Sequence, residues 1–103
     1  MIENIRATYD AGISIIEKKN RDYGADGDPF RNFKTATGLG LTVEKAILVR
    51  LMDKIARVDN LLEHEAYVTE ETLEDTLVDA INYLAILKAY RNLTRGGASG
   101  TAA

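Results

Sequence analysis

The chain contains no cysteine and no tryptophan, and it has only one histidine and one proline. Without cysteine there is no disulfide framework, no thiolate zinc site and no cysteine nucleophile. A single histidine also excludes metal sites built from two or three histidines of one chain. Any metal chemistry must therefore use carboxylate and other oxygen ligands, which suit Mg²⁺, Mn²⁺ or Ca²⁺.

Long apolar runs and an excess of basic residues are missing as well. The longest apolar runs span four residues, as at 46–49 and 84–87, whereas a membrane span needs about 18 or more. The early acidic residue Glu3 does not suit a signal peptide. With 13 basic and 16 acidic residues the net charge is −3, so we expect no direct nucleic-acid binding. A cytoplasmic protein without a membrane partner is predicted.

Three segments carry the three- and four-residue spacing of apolar side chains that is typical of helices. Helices are predicted at residues 2–20, 42–64 and 69–93, with Thr42 and Thr69 at the starts of the last two. The predicted core faces are, in order, Ile2, Ile5, Tyr9, Gly12, Ile13 and Ile16; Ile47, Leu51, Ile55, Val58 and Leu62; and Leu73, Leu77, Ala80, Leu84 and Leu87.

The second predicted helix is apolar on two sides, because Val49, Met52 and Ala56 form a further stripe. A helix of that kind is buried on more than one side, so we expect a second copy of the chain to cover it. The sequence thus predicts an all-α antiparallel helical bundle of three main helices, with a long loop after the first, completed by oligomerisation. Residues 1–95 form the helical domain, and a flexible C-terminal tail is expected at 96–103.

The long loop, residues 21–41, contains four of the chain's glycines and its single proline, together with Tyr23, Phe30 and Phe33. Long loops that hold aromatic side chains are typical of functional loops or lids, and a short helical turn at 30–36 fits the sequence. The aromatic side chains either stack on a nucleobase or pin the loop to the bundle. Both interpretations remain open at this stage.

Polar residues form stripes on the second and third predicted helices. The two stripes consist of Arg50, Asp53, Arg57 and Asn60, with Lys54 beside them, and of Glu71, Asp75, Asp79 and Asn82. If a turn at 65–68 lets the helices pack antiparallel, the stripes face one groove. Carboxylates one turn apart can share a hard cation, and neighbouring Arg or Lys can bind phosphate oxygens. A solvated face with surface ion pairs, or a buried structural network around Asp79 and Asn82, explains the same pattern.

Four segments of the sequence, in this order, resemble the MazG-like all-α nucleoside triphosphate pyrophosphatase superfamily. More closely, they resemble a phage-rich branch of it that is described as nucleotide-modification-associated. The segments are Lys19-Asn20-Arg21-Asp22-Tyr23-Gly24, Asn32-Phe33, Val49-Arg50-Leu51-Met52-Asp53-Lys54-Ile55-Ala56-Arg57, and Glu74-Asp75-Thr76-Leu77-Val78-Asp79-Ala80-Ile81-Asn82-Tyr83-Leu84. The resemblance covers about residues 2–90.

This resemblance implies Mg²⁺-dependent (or Mn²⁺-dependent) hydrolysis of a nucleoside triphosphate to monophosphate and pyrophosphate by homodimers or homotetramers. The family's Glu-Glu-x-x-Glu is matched here by Arg50-Leu51-x-x-Lys54, and its Glu-x-x-Asp by Thr76-x-x-Asp79. The expected roles are as follows: Asp53, Asp75 and Asp79 hold the metal; Asp79 or Glu17 is the general base; Arg50, Lys54 and Arg57 bind phosphates; and Lys19, Asn20, Tyr23, Phe33 and Asn82 contact the nucleotide.

Three functions are therefore consistent with the sequence. The first is a nucleoside triphosphate pyrophosphohydrolase. The second is a non-catalytic nucleotide-binding protein, or a subunit of a modification complex, in which cations have replaced part of the acidic cluster. The third is a helical interaction protein whose ion pairs are structural.

Overall fold

The computed structural model describes residues 1–22, 30–64 and 72–95, and within these ranges the chain is all-α with no β-strand. The helices are α1 (Ile2–Asp22), α2 (Arg31–Thr35), α3 (Val43–His64) and α4 (Leu73–Thr94), with a 3₁₀ helix at Ala36–Leu39. The second and third predicted helices are α3 and α4. None of the helices in the described ranges has the length and apolarity needed to cross a membrane.

Threonine hydroxyls cap both long helices after the loop. The Lys45 N–H donates to Thr42 Oγ1 at 3.1 Å, which confirms the predicted start of α3. Helix α4 begins at Leu73, and the Asp75 N–H donates to Thr72 Oγ1 at 3.1 Å. The predicted cap Thr69, the turn at 65–68 and the tail at 96–103 lie outside the described residues.

The described part of the long loop is helical and is held by its aromatic side chains. Helix α2 and the 3₁₀ helix extend the helical turn that was predicted at 30–36. The ring of Phe30 meets Tyr90 edge to face with centroids 5.1 Å apart, and Phe33 meets Tyr83 in the same way at 6.2 Å. These contacts confirm that both phenylalanines pin the segment to α4.

Helix α4 lies against both other long helices. It meets α3 through two ion pairs, Lys54–Asp79 and Glu44–Arg91. Lys54 comes after Glu44 along α3, whereas Asp79 comes before Arg91 along α4. Helix α4 meets α1 where the buried Asn82 side-chain amide donates to the Gly12 carbonyl oxygen at 3.1 Å. Because Gly12 has no side chain, the two helices approach closely at this point.

The predicted core faces are only partly correct. The exposed side chains that were expected in the core are Ile2, Ile5, Tyr9 and Ile13 of α1, Ile55 and Leu62 of α3, and Leu77 and Leu84 of α4. Ile47, Leu73 and Ala80 are buried as predicted, whereas Val43, Ala46 and Leu61 of α3 are buried outside the predicted stripe. Lys54, also outside the stripe, is half-buried in its ion pair with Asp79. The apolar pattern therefore covers more surface than one copy of the described helices buries.

Candidate functional site

A cleft opens where the C-terminal end of α1, the start of α2, the middle of α3 and α4 come together. It encloses about 180 Å³. Its lining consists of Ile16, Lys19, Asn20, Asn32, Phe33, Arg50, Tyr83 and Ile86. Helix α1 therefore supplies three side chains to this concave site, α2 and α4 supply two each, and α3 supplies one.

The cleft has an apolar interior and a polar rim. Phe33 is buried, and Ile16, Tyr83 and Ile86 are half-buried. The polar lining residues Lys19, Asn20, Asn32 and Arg50 are exposed. An apolar wall suits a flat heterocycle, whereas guanidinium, ammonium and amide groups at the rim suit phosphate and other anionic or polar groups.

Packing of α2 fixes the geometry of this cleft. The backbone N–H groups of Phe33 and Lys34 donate to the Phe30 carbonyl, which starts the short helix. Phe33 then inserts into a core cluster with Val43, Ala46 and Ile47. This anchoring holds Asn32, the preceding residue, at the rim opposite Arg50 and the end of α1.

Four of the predicted ligand-binding residues meet in this cleft, namely Lys19, Asn20, Phe33 and Arg50. The sequence pattern predicted no ligand contact for the other four lining residues, Ile16, Asn32, Tyr83 and Ile86. Asn32 and Tyr83 stand next to Phe33 and Asn82 in segments that carry the resemblance, and this adjacency was the available signal. Tyr23 lies outside the described residues.

The remaining predicted residues of α3 do not line the cleft. Asp53 and Arg57 line a separate, open groove with Ala56, Asn60 and Leu61. The Lys54 ammonium lies 3.2 Å from Asp79 Oδ2, and both side chains are largely shielded from solvent. The residues that were expected to line a single groove are thus divided among the cleft, the open groove and the Lys54–Asp79 ion pair.

Three further predicted residues lie apart from the cleft lining. Asp75 is exposed in the first turn of α4, where its backbone N–H is capped by Thr72. Glu17 is exposed on α1. Asn82 is buried, and its amide bonds to Gly12 between two helices. That contact fits the structural network which the sequence left open as an alternative for Asn82.

The described carboxylates do not form a metal-binding cluster. Within residues 1–22, 30–64 and 72–95, no three Asp, Glu or His side chains come together as a group that could hold a metal ion. Lys54 already supplies a positive charge to Asp79, where a bound cation would otherwise be needed. The expected Mg²⁺ or Mn²⁺ site at Asp53, Asp75 and Asp79 therefore stays a prediction.

No family model matches this chain, and no curated protein or solved structure matches it. The similarity to MazG-like proteins therefore stays a prediction.

Proposed function

We propose that this protein binds a nucleotide in the cleft, with the phosphates near Arg50 and Lys19 and the base toward Phe33 and Tyr83. The observation that carries the proposal is the lining itself. Two cations, two side-chain amides and two aromatic rings converge from four helices. This is the donor set that a molecule with an anionic end and a flat aromatic end requires.

The charge of the cleft supports an anionic ligand. The chain as a whole carries a formal net charge of −3. Among the described residues that line the cleft, however, Lys19 and Arg50 are charged and neither Asp nor Glu is present. A concave site with local positive charge in an acidic protein favours anions over cations.

The size of the cleft favours a small ligand. Its volume of about 180 Å³ is below the roughly 300–1,000 Å³ of typical small-molecule pockets. It therefore encloses a base or a phosphate group, and the rest of a mononucleotide extends along the exposed rim. A single nucleotide fits this arrangement better than an oligonucleotide, in keeping with the acidic net charge.

Binding without hydrolysis is our first choice between the two nucleotide functions. Hydrolysis of a nucleoside triphosphate to monophosphate and pyrophosphate needs a metal held by carboxylates such as Asp53, Asp75 and Asp79. The ion pair with Lys54 instead supports a site in which the charge of Asp79 is neutralised by a side chain. Mg²⁺-dependent or Mn²⁺-dependent hydrolysis is the second candidate, and it is favoured by Asp75 and Asp79, which lie one turn apart on α4.

We further propose that the helices form an antiparallel bundle that a homodimer or homotetramer completes. The opposite order of the two α3–α4 ion pairs supports the antiparallel arrangement. The exposed apolar side chains on all three long helices support association.

The test is a panel of ribo- and deoxyribonucleoside mono-, di- and triphosphates, with and without Mg²⁺ or Mn²⁺. Thermal unfolding and pyrophosphate release are measured for each ligand. We expect at least one nucleotide to raise the unfolding temperature, because a ligand that binds only the folded state stabilises it. Stabilisation without pyrophosphate supports the binding protein, and pyrophosphate that disappears in Asp79→Ala supports the hydrolase. A panel without any stabilisation or turnover contradicts both.

A further inference from the structure

The pair formed by α3 and α4 exposes apolar side chains along one side. On α3 these are Leu48, Met52, Ile55 and Leu62, and on α4 they are Leu77 and Leu84. Between 38% and 69% of each residue's surface is exposed. We call these six residues the α3–α4 apolar face.

Helix geometry puts the six residues on the same side of the pair. Leu48, Ile55 and Leu62 each follow by one position the shielded residues Ile47, Lys54 and Leu61. Of these, Lys54 pairs with Asp79 of α4, and Ile47 belongs to the cluster against which α4 packs. One position is a rotation of about 100° around the helix. Leu84 likewise follows Tyr83, which packs against the core cluster that contains Ile47. Since the two ion pairs run in opposite order, equal rotations on both helices lead to the same side.

This side is opposite the nucleotide cleft. Arg50 and Ile86, which line the cleft, lie on the other flank of the α3–α4 contact. Helix α1 also packs on that flank, through Gly12 and Asn82. A partner on the α3–α4 apolar face therefore leaves the cleft open.

The area of the face matches what a dimer needs. Each of the two helices has 22 residues, which is about 33 Å at the usual helical rise. Two helices spaced by about 10 Å present a face of roughly 650 Å². Stable interfaces bury about 800 Å² per partner, and monomers rarely expose apolar patches above a few hundred Å².

Charged residues at the two ends of this face have opposite signs. Lys45 of α3 and Lys88 of α4 lie at one end, and Asp59 of α3 and Glu74 of α4 lie at the other; all four are exposed. Lys45 and Asp59 are about 21 Å apart along α3, and Glu74 and Lys88 are equally far apart along α4 at the same level, with the Lys54–Asp79 pair taken as a common level. The midpoint of each pair falls beside Met52.

We propose that a second copy of this chain covers the α3–α4 apolar face, related by a two-fold axis that passes near Met52. Such an axis reverses the face end for end. Helix α3 then lies on α3 of the second copy and α4 on its α4, so the acidic end of one copy meets the basic end of the other, with Asp59 near Lys45 of the second copy and Glu74 near its Lys88. A self-complementary pattern of this kind selects an identical partner over an unrelated protein. The proposal does not depend on nucleotide binding.

The first experiment compares two isoleucines of equal exposure. Ile55 on this face is 53% exposed and Ile13 on α1 is 55% exposed. In light scattering and sedimentation, we expect the wild type to contain the dimer and Ile55→Glu to weaken dimerisation by more than 100-fold, since the charge would be buried without a partner. Ile13→Glu is expected to leave the dimer intact, and far-ultraviolet circular dichroism verifies that both variants remain helical.

The second experiment reverses two of the exposed charges at the ends of this face. Asp59→Lys and Lys45→Glu should each weaken the dimer about tenfold, because each creates two like-charge contacts across the two-fold axis. The double variant restores opposite charges and should regain most of the affinity. A monomeric wild type, dissociation by Ile13→Glu but not by Ile55→Glu, or a double variant as weak as the single ones would overturn the proposal.

Discussion

The ammonium group of Lys54 on α3 lies 3.2 Å from the Oδ2 oxygen of Asp79 on α4, and each side chain is less than one third exposed. The pair joins the two helices that pack most extensively, and it neutralises an acidic residue near the core. In the family that the sequence resembles, acidic residues at the matching turns hold a metal. In this chain, Lys54 compensates the negative charge of Asp79.

Reversal of this cation should create a dependence on divalent metal. In Lys54→Glu two carboxylates face each other between α3 and α4, beside Asp53. We expect a loss of about 1–3 kcal/mol in the free energy of unfolding, because a half-buried carboxylate loses its partner and gains a like charge. Added Mn²⁺ or Mg²⁺ should recover part of this loss, since a divalent ion relieves the repulsion.

The measurement is thermal unfolding with and without millimolar metal. Lys54→Gln is the control, because it removes the cation without adding an acid. It should be destabilised by about 1 kcal/mol and respond to metal as the wild type does. An equal metal response in both variants would contradict the interpretation of Lys54 as a substitute for the metal.

A second prediction concerns the contact of α1 with α4. A Cβ atom on Gly12 would lie 2.6 Å from Asn82 Oδ1, and the Asn82 amide is held by its hydrogen bond to the Gly12 carbonyl. In an open helix, Gly→Ala stabilises by about 1 kcal/mol. Here we expect Gly12→Ala to destabilise by about 1–2 kcal/mol net, because the buried amide must move and loses its bond.

A double-mutant cycle in chemical denaturation checks this explanation. Asn82→Ala removes the obstructing atoms, so Gly12→Ala should become neutral or stabilising in that background. Gly38→Ala is a second control, since a Cβ there meets nothing within 4 Å. If Gly12→Ala costs the same with and without Asn82, the close approach is not its cause.

The third prediction separates the cleft from the open groove on α3. Arg50 lines the cleft, whereas Arg57 lines the groove with Asp53. With a nucleotide found in the panel, we expect Arg50→Ala to raise the dissociation constant about 10- to 100-fold, the cost of losing a charged hydrogen-bond partner. Arg57→Ala should change it less than threefold. Titration calorimetry measures both, and the reverse order would move the ligand to the groove.

Much of the secondary structure follows from local signals in the sequence. Thr42 identifies the start of α3 because its hydroxyl accepts a backbone N–H in the first turn, and the spacing of apolar residues predicts three long helices. The start of α4 was less predictable. Thr69 and Thr72 are each followed by an acidic residue within two positions, and the Thr72 hydroxyl caps α4.

Burial and site geometry were harder to predict than helix position. Ile47 and Ile55 are equally apolar, yet Ile47 is fully buried and Ile55 is exposed. The difference arises because tertiary packing decides which side of α3 is covered by the other helices. Lys54 and Asp79 belong to stripes that the sequence shows, but only the packing of α3 on α4 decides that they pair. Asn32 enters the cleft because Phe33 is anchored, which is a consequence of the tertiary contacts of its neighbour.

The last prediction uses the two phenylalanines of the described loop. Phe30 and Phe33 each meet a tyrosine of α4 edge to face, but of the two only Phe33 lines the cleft. We expect Phe30→Leu and Phe33→Leu to cost a similar 1–2 kcal/mol of stability, since each loses an aromatic pair and some packing volume. Nucleotide affinity should fall about tenfold in Phe33→Leu and stay within twofold in Phe30→Leu. Denaturation and calorimetry on the same samples separate the two effects; an equal loss of affinity in both variants would mean that the phenylalanines act only by holding α2 in place.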